Sequence, residues 1–190
     1  GERCYLHGTD IAFQLCKVLD ISGEVTIQFY KMATYPILAY HVDTDELSKL
    51  RSLGKMCALM SYRDTNQEIR IVALVEDKFK VISKRKAYSE SKVILGANIV
   101  NDEIVQLVAN QGNFFERVVA LNKELLNRVV SENSWVFGRI NLLTYPIDPA
   151  SISIKLSGEL GGNSYKSSIF GDNTLLGDIF FSRRKDDDWN

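Results

Sequence analysis

The chain is short of the residues that most directly announce chemistry. Among 190 residues there are three cysteines, Cys4, Cys16 and Cys57, far apart and without a C-x-x-C pair, and two histidines, His7 and His41. That spacing argues against a disulfide framework or a zinc site and predicts reduced, buried thiols in an intracellular protein. No phosphate-binding glycine loop, Ser/His/Asp set or zinc cluster occurs, so independent enzymatic activity is not expected, and neither is a metal or a cofactor. Long apolar runs are lacking as well: nothing approaches the roughly 20 residues of a membrane span, no secretory leader is read, and no membrane partner is expected. Excess charge of one sign is also missing. With 23 Lys plus Arg against 24 Asp plus Glu, the net charge is −1, so any contact with RNA must come from a local patch.

What is present is enough to fold. An apolar share of 45% and a charged share of 25% suit one globular domain with a real core over 1–190. The chain begins Gly-Glu-Arg, which predicts a domain excised from a larger polypeptide, with the rest of that chain among its partners.

Along the chain, Thr9 or Asp10 can cap a helix carrying Ile11, Phe13, Leu15, Val18 and Leu19, with Gly23 after it. Glu24–Lys31 and Tyr35–Val42 read as strands rich in β-branched and aromatic residues. Asp43-Thr44-Asp45 starts a second helix that presents Leu47, Leu50 and Leu53 and stops at Gly54. Met56–Tyr62, Glu68–Val75 and Lys78–Ser83 predict three antiparallel strands, joined by the turns Arg63–Gln67 and Glu76-Asp77. Asn101–Asn110 and Asn113–Val130 read as helices, the second with Phe114, Val118, Leu121, Leu125 and Val129 along one stripe. Gly161–Ser164 is a loop, Leu175–Phe181 a returning strand, and 183–190 a charged terminus expected to be mobile. Strands and helices without βαβ alternation predict an α+β fold: a mainly antiparallel sheet packed against a long helix.

The most informative stretch is Val136–Gly158. Val136, Ile140 and Leu142 fall on one face of an extended segment and Phe137, Arg139 and Asn141 on the other. Pro146 and Pro149 bracket Ile147-Asp148, remove two donors and stop the ladder; Ile152, Ile154 and Leu156 then resume the alternation.

This strand, proline turn and strand, preceded by a helix and a Trp, resembles the cap-binding domain of the orthomyxovirus polymerase basic protein two. DIAFQLCKVLDISGEVTIQFYK and KMCALMSYRDTNQEIRIVALVEDKFKVISKRK follow in the same order as that family's helix, aromatic strand and central hairpin. The resemblance implies a cap-binding-domain-like fold inside a viral RNA-dependent RNA polymerase subunit, non-catalytic itself and set in cap-snatching of host mRNA for transcription priming. Its partners would be other polymerase subunits and capped host RNA, and its place the host nucleus. Such a site clamps a methylated guanine between aromatic rings, reads it with a carboxylate and holds the phosphates with basic groups. By position, the aromatic walls fall on Tyr62 and on Phe114 or Phe115, the carboxylate on Glu68, and the basic groups on Lys84, Arg85 and Lys86. Between the basic run and Trp135 the chain is roughly twenty residues shorter than the influenza-like pattern. It offers no His there and is more like the Thogoto branch.

Two other readings compete. Asp64, Glu76 and Lys78 have the order D…E-x-K of metal-dependent nucleases, in which carboxylates hold a divalent cation and the lysine orients water. Alternatively, the domain keeps the fold but serves as a structural or subunit-interaction module without cap binding.

Overall fold

Two helix-then-strand units build the centre of the molecule. The computed structural model describes residues 6–80, 89–107, 111–130, 134–145 and 148–183. Helix α1 (Gly8–Val18) is followed by strand β1 (Val25–Phe29), and the long helix α4 (Phe114–Val129) by strand β7 (Trp135–Leu142). The two strands pair antiparallel, Val25 opposite Leu142 and Ile27 opposite Ile140, and the two helices touch. Around them lie β2 (Ile37–His41), α2 (Thr44–Ser52), β3 (Met56–Arg63), β4 (Ile69–Glu76), α3 (Glu90–Val93), β5 (Asn98–Val100) and β6 (Glu103–Gln106). After β7 come β8 (Ile152–Leu160), β9 (Ser164–Gly171) and β10 (Thr174–Arg183). All ten strands form one sheet in the order β2-β4-β3-β1-β7-β10-β9-β8-β6-β5, every pairing antiparallel.

Local chemistry sets the helix starts. Asn113 caps α4 and Asp43 caps α2, each in a reciprocal capping box with the glutamate three residues on, Glu116 and Glu46. Gly54 takes φ +60° after α2, the left-handed stop that glycine supplies at no steric cost. The β9–β10 hairpin turns through Asp172-Asn173, both at positive φ (48° and 65°), which matches the twist of the flanking strands.

The core lies between the sheet and the helices, and two cross-strand rows define its floor. One runs Ile99, Ile104, Ile154, Ile169, Gly177, Leu142, Val25 and Tyr62 to Arg70. Its neighbour runs Leu156, Ser167, Ile179, Ile140, Ile27, Met60 and Val72 to His41. Residues opposite one another across a ladder share a face, so these rows are one continuous surface that is mostly apolar until the β3-β4-β2 edge. On the other face of that edge, α2 covers Met56 and Ala73 with Leu47 and Leu50 in a small separate cluster.

Several sequence expectations change here. The cap-binding-domain-like fold is not what forms; the chain builds a single ten-stranded antiparallel sheet with the long helix on one face. Asn101–Asn110, expected as a helix, contains β6, which gains backbone partners along β8 from Glu103 opposite Lys155 to Gln106 opposite Ile152. Ser164–Gly171 is a full strand rather than the tail of a loop. Lys78–Lys80, expected to begin a strand, is a turn, and 81–83 lie outside the described residues, as do 184–190 of the expected mobile terminus. In β7 the alternation breaks at Gly138: Arg139 pairs with Phe180 but Phe137 with Phe181, so an extra residue re-aims the strand. Phe137 therefore joins the core side, 5.1 Å from the Phe29 ring and 5.8 Å from Phe181.

Candidate functional site

At the β2-β4-β3 edge the apolar rows give way to polar side chains. There the surface forms an open groove of about 730 Å³, lined by His41, Val42, Asp43, Thr44, Tyr62, Asp64, Ile69, Arg70 and Ile71. That volume is within the usual range for small-molecule sites, roughly 300–1,000 Å³. His41 is the last residue of β2 and is exposed; Tyr62, near the end of β3, is half-buried against the core, and the two rings sit 6.3 Å apart.

The groove's charges are organised by the β3–β4 turn. The Asp64 carboxylate accepts the backbone N–H of Asn66 (2.9 Å) and of Glu68 (3.0 Å), closing the turn in which Gln67 takes φ +65°. Its other oxygen accepts Arg70 Nε at 2.8 Å, and Arg70 Nη2 reaches Glu68 at 2.7 Å. The Arg70 guanidinium, helped by the two backbone donors, holds the Asp64 carboxyl below its ordinary value, and Asp64 in return raises Arg70. Two carboxylates thus consume the one cation, so the groove is not an anion cradle. Asp43 is likewise committed, as the cap of α2.

A second polar locus lies deep under α4. Arg117 is fully buried on that helix, donating from Nε to Gln106 Oε1 (3.3 Å) and from Nη1 to Asp148 Oδ1 (3.0 Å) and the Pro149 carbonyl (3.1 Å). Burial lowers its pKa, with Asp148 and Asp172 opposing that shift. Farther along the helix both amide atoms of Asn122 are buried without a hydrogen-bond partner, as is the hydroxyl of Ser167 on β9. Sequence reasoning missed all three. A polar residue interrupting the Val118–Leu125 stripe was the available sign for Asn122. Ser167 and Arg117 gave none, because their burial depends on which strands cover them.

The structure scatters the residues proposed from sequence. Tyr62 lines the groove, and Glu68 stands exposed beside it, paired with Arg70. Phe114 and Phe115 are buried in the core and pack on Tyr145, the latter stacked at 5.7 Å, so their rings face no ligand surface. Lys84, Arg85 and Lys86 lie outside the described residues. The nuclease arrangement does not assemble. Asp64 lies in the turn before β4 and Glu76 ends that strand, which is about 23 Å long at roughly 3.3 Å per residue. Glu76 is spent on the Thr34 and Tyr35 backbone N–H groups (2.6 and 3.2 Å), and Lys78 is in the turn beyond. Among the described residues no three His, Cys, Asp or Glu side chains are grouped to hold a metal.

No protein-family model and no curated protein sequence matches the chain. Solved structures do. A protein provisionally named thioesterase II from Thermobifida fusca YX superposes with a TM-score of 0.52 over 97% of this chain and 89% of its own, at 5% identity. A protein provisionally named thioesterase from Novosphingobium aromaticivorans gives 0.49 over 95% and 88% at 8% identity. A dehydratase domain from Pseudomonas fluorescens gives 0.45 over 94% and 86% at 10% identity.

The architecture is that of the hotdog fold, a broad antiparallel sheet wrapped on a long helix. This overturns the orthomyxovirus resemblance and the reading as a cap-snatching polymerase domain, since the shared fold is that of a protein named for thioester cleavage. The expectation of a non-catalytic domain, drawn from that resemblance and from the lack of a familiar catalytic motif, is corrected with it, since the structure that shares the fold is named as an enzyme. Polymerase partners and a nuclear location had no other support. No helix among the described residues is long and apolar enough to cross a membrane.

Proposed function

We propose that this chain acts on acyl thioesters as a hydrolase, with the His41–Tyr62 groove as its reaction site. The observation that carries the reading is the meeting of an imidazole and a phenol in one groove at the end of the core rows, on a fold shared with a protein named thioesterase II.

The chemistry asks little of the protein. Water attacks the thioester carbonyl while the His41 imidazole takes its proton; the tetrahedral oxyanion accepts a hydrogen bond from the Tyr62 hydroxyl. Collapse expels the thiolate, which recovers the proton from the imidazolium, leaving a carboxylic acid and a thiol. Ile69, Ile71 and Val42 supply apolar wall for the acyl chain. The Asp64–Arg70–Glu68 cluster supplies no net positive charge, so the phosphates of a carrier must lie outside the groove.

The test is thiol release from a panel of acyl-CoA and acyl-N-acetylcysteamine thioesters of increasing chain length. Hydrolysis should fall at least about 100-fold in His41→Asn, the usual lower range for loss of a general base. Tyr62→Phe should lower kcat more than KM. A wild-type protein that releases no thiol from any member of the panel, or a His41→Asn variant as active as wild type, overturns the assignment.

A further inference from the structure

We propose that Arg117 is the receptor for an oxyanion ligand, a carboxylate or phosphate group, whose place is held by the Asp148 carboxylate. The locus is separate from the groove: Gln106 ends β6 and His41 ends β2, near opposite edges of the sheet order.

Four features converge. Arg117 has no exposed side-chain surface, yet its ion-pair partner among the described residues is a side chain that is 72% exposed. A guanidinium so thoroughly desolvated normally meets carboxylates as a fork, two parallel N–H donors to two oxygens. Here Nη1 carries both the Asp148 and the Pro149 bonds, while Nη2, equally buried, has no partner. The fork is half used, and an oxyanion meeting Nη1 and Nη2 together would complete it.

The receptor is oriented rather than loose. Gln106 Nε2 donates to the Val93 carbonyl at 2.6 Å, which turns its amide oxygen toward Arg117 Nε and fixes the plane of the guanidinium. The occupant, by contrast, is poorly bound. Asp148 sits at φ +51°, a left-handed conformation that aspartate tolerates, and its side chain is mostly in water, so little is lost when it swings away. Its departure does not release the loop, because Asp172 separately holds the Ala150 and Ser151 N–H groups (3.3 and 2.8 Å) and the Ser151 hydroxyl (3.0 Å). The positive end of α4 adds a favourable field for an anion one turn from its start.

The test titrates the full chain with inorganic phosphate and, separately, with sodium acetate, following thermal stability against sodium chloride at equal ionic strength. Wild type should show a saturable rise with one of the two anions, which also tells phosphate from carboxylate recognition. Asp148→Ala, freed of its internal competitor, should bind that anion at least tenfold more tightly. Gln106→Glu, which places a carboxylate against Nε, should lose the response while remaining folded; Arg117→Lys, which keeps the charge and loses the fork, should lose it too. If Asp148→Ala responds to both anions no more than to chloride, or if Gln106→Glu responds as wild type does, Arg117 is only a clamp on the 148–151 loop and the proposal fails.

Discussion

Replacing Asn122 by leucine should make the protein more stable, an uncommon outcome for a fully buried position. Asn122 is completely buried within α4, with Val118 one turn and Phe115 two turns before it and Leu125 and Leu126 after it. Neither its amide nitrogen nor its amide oxygen has a hydrogen-bond partner. An unsatisfied buried polar group costs about 1–3 kcal/mol, so the two together cost about 2–6 kcal/mol. A buried leucine contributes about 1.5–3 kcal/mol by transfer from water. Against this stand the extra volume, since overpacking costs about 1–3 kcal/mol, and the limited room between helix and sheet. With both gains near their low ends and the packing cost in the middle of its range, the net should be a gain of about 2 kcal/mol. For a chain of this size that corresponds to a rise in Tm of about 4–8 °C. Urea denaturation would show it as a higher midpoint at unchanged slope, the sign that stability rather than denatured-state compactness has altered. Asn122→Asp is the control, since an unpaired buried charge should lower stability by at least about 3 kcal/mol. A loss of 1 kcal/mol or more in Asn122→Leu, at unchanged slope, would refute the reasoning: the amide would have to be satisfied in the folded protein. If the variant is stabilised but loses thioester hydrolysis, the orphaned amide is retained for function at the expense of stability.

Three other outcomes are expected. Gly177→Ala should destabilise by about 3 kcal/mol or more in the same denaturation assay, because its Cβ would fall 2.0 Å from the Asn141 carbonyl oxygen at φ +151°; an effect under 1 kcal/mol would contradict that backbone path. Burial pushes the Cys16 thiol up to about 12 and the Cys57 thiol up to about 11, so in a Cys4→Ser background neither should react with a disulfide reagent at pH 8 until the protein is unfolded; rapid native reaction of either would contradict the core packing. The Asp64 carboxyl is depressed, so what it contributes to the β3–β4 turn is fully present above the ordinary aspartate value, about 3.9, and is lost as pH falls through the lower folded value. An NMR titration of the Asn66 and Glu68 amide protons should therefore give a midpoint below that value, and a midpoint at or above it would show that Arg70 does not grip the turn.

How much of this was legible in the chain divides along the range of the interactions involved. Helix α4 and the start of α2 are written locally: Asn113 with Glu116 and Asp43 with Glu46 are complete capping boxes within four residues, and each is followed by apolar spacing that suits one face. The β3–β4 hairpin is similarly local, with alternating strands meeting at a turn that Asp64 closes through its own neighbours. The segments that misled are those whose state depends on distant chain. Residues 103–106 lie in an unremarkable stretch, and become a strand because β8, about fifty residues later, offers matching backbone donors and acceptors. The proline-bracketed turn after β7 is real chemistry but a generic one, and a strand, turn and strand carry no information about the order in which strands join a sheet. That order is what separates a hotdog fold from the arrangement the motif resembled.

The candidate sites follow the same division. Tyr62 could be singled out from its position at the end of a strand, but its partner His41 comes from β2, which reaches β3 only through β4. Arg117 reads as one more charge on an amphipathic helix, and only the Asp148–Pro149 loop and β6 closing over it turn it into a buried cation with an unfinished fork. The chain by itself determined its caps, turns and apolar periods, because hydrogen bonds and side-chain spacing within a few residues suffice for those. The tertiary structure alone decided strand order, which polar groups lost water, and which of them met, because burial is a property of what covers a residue and not of the residue itself.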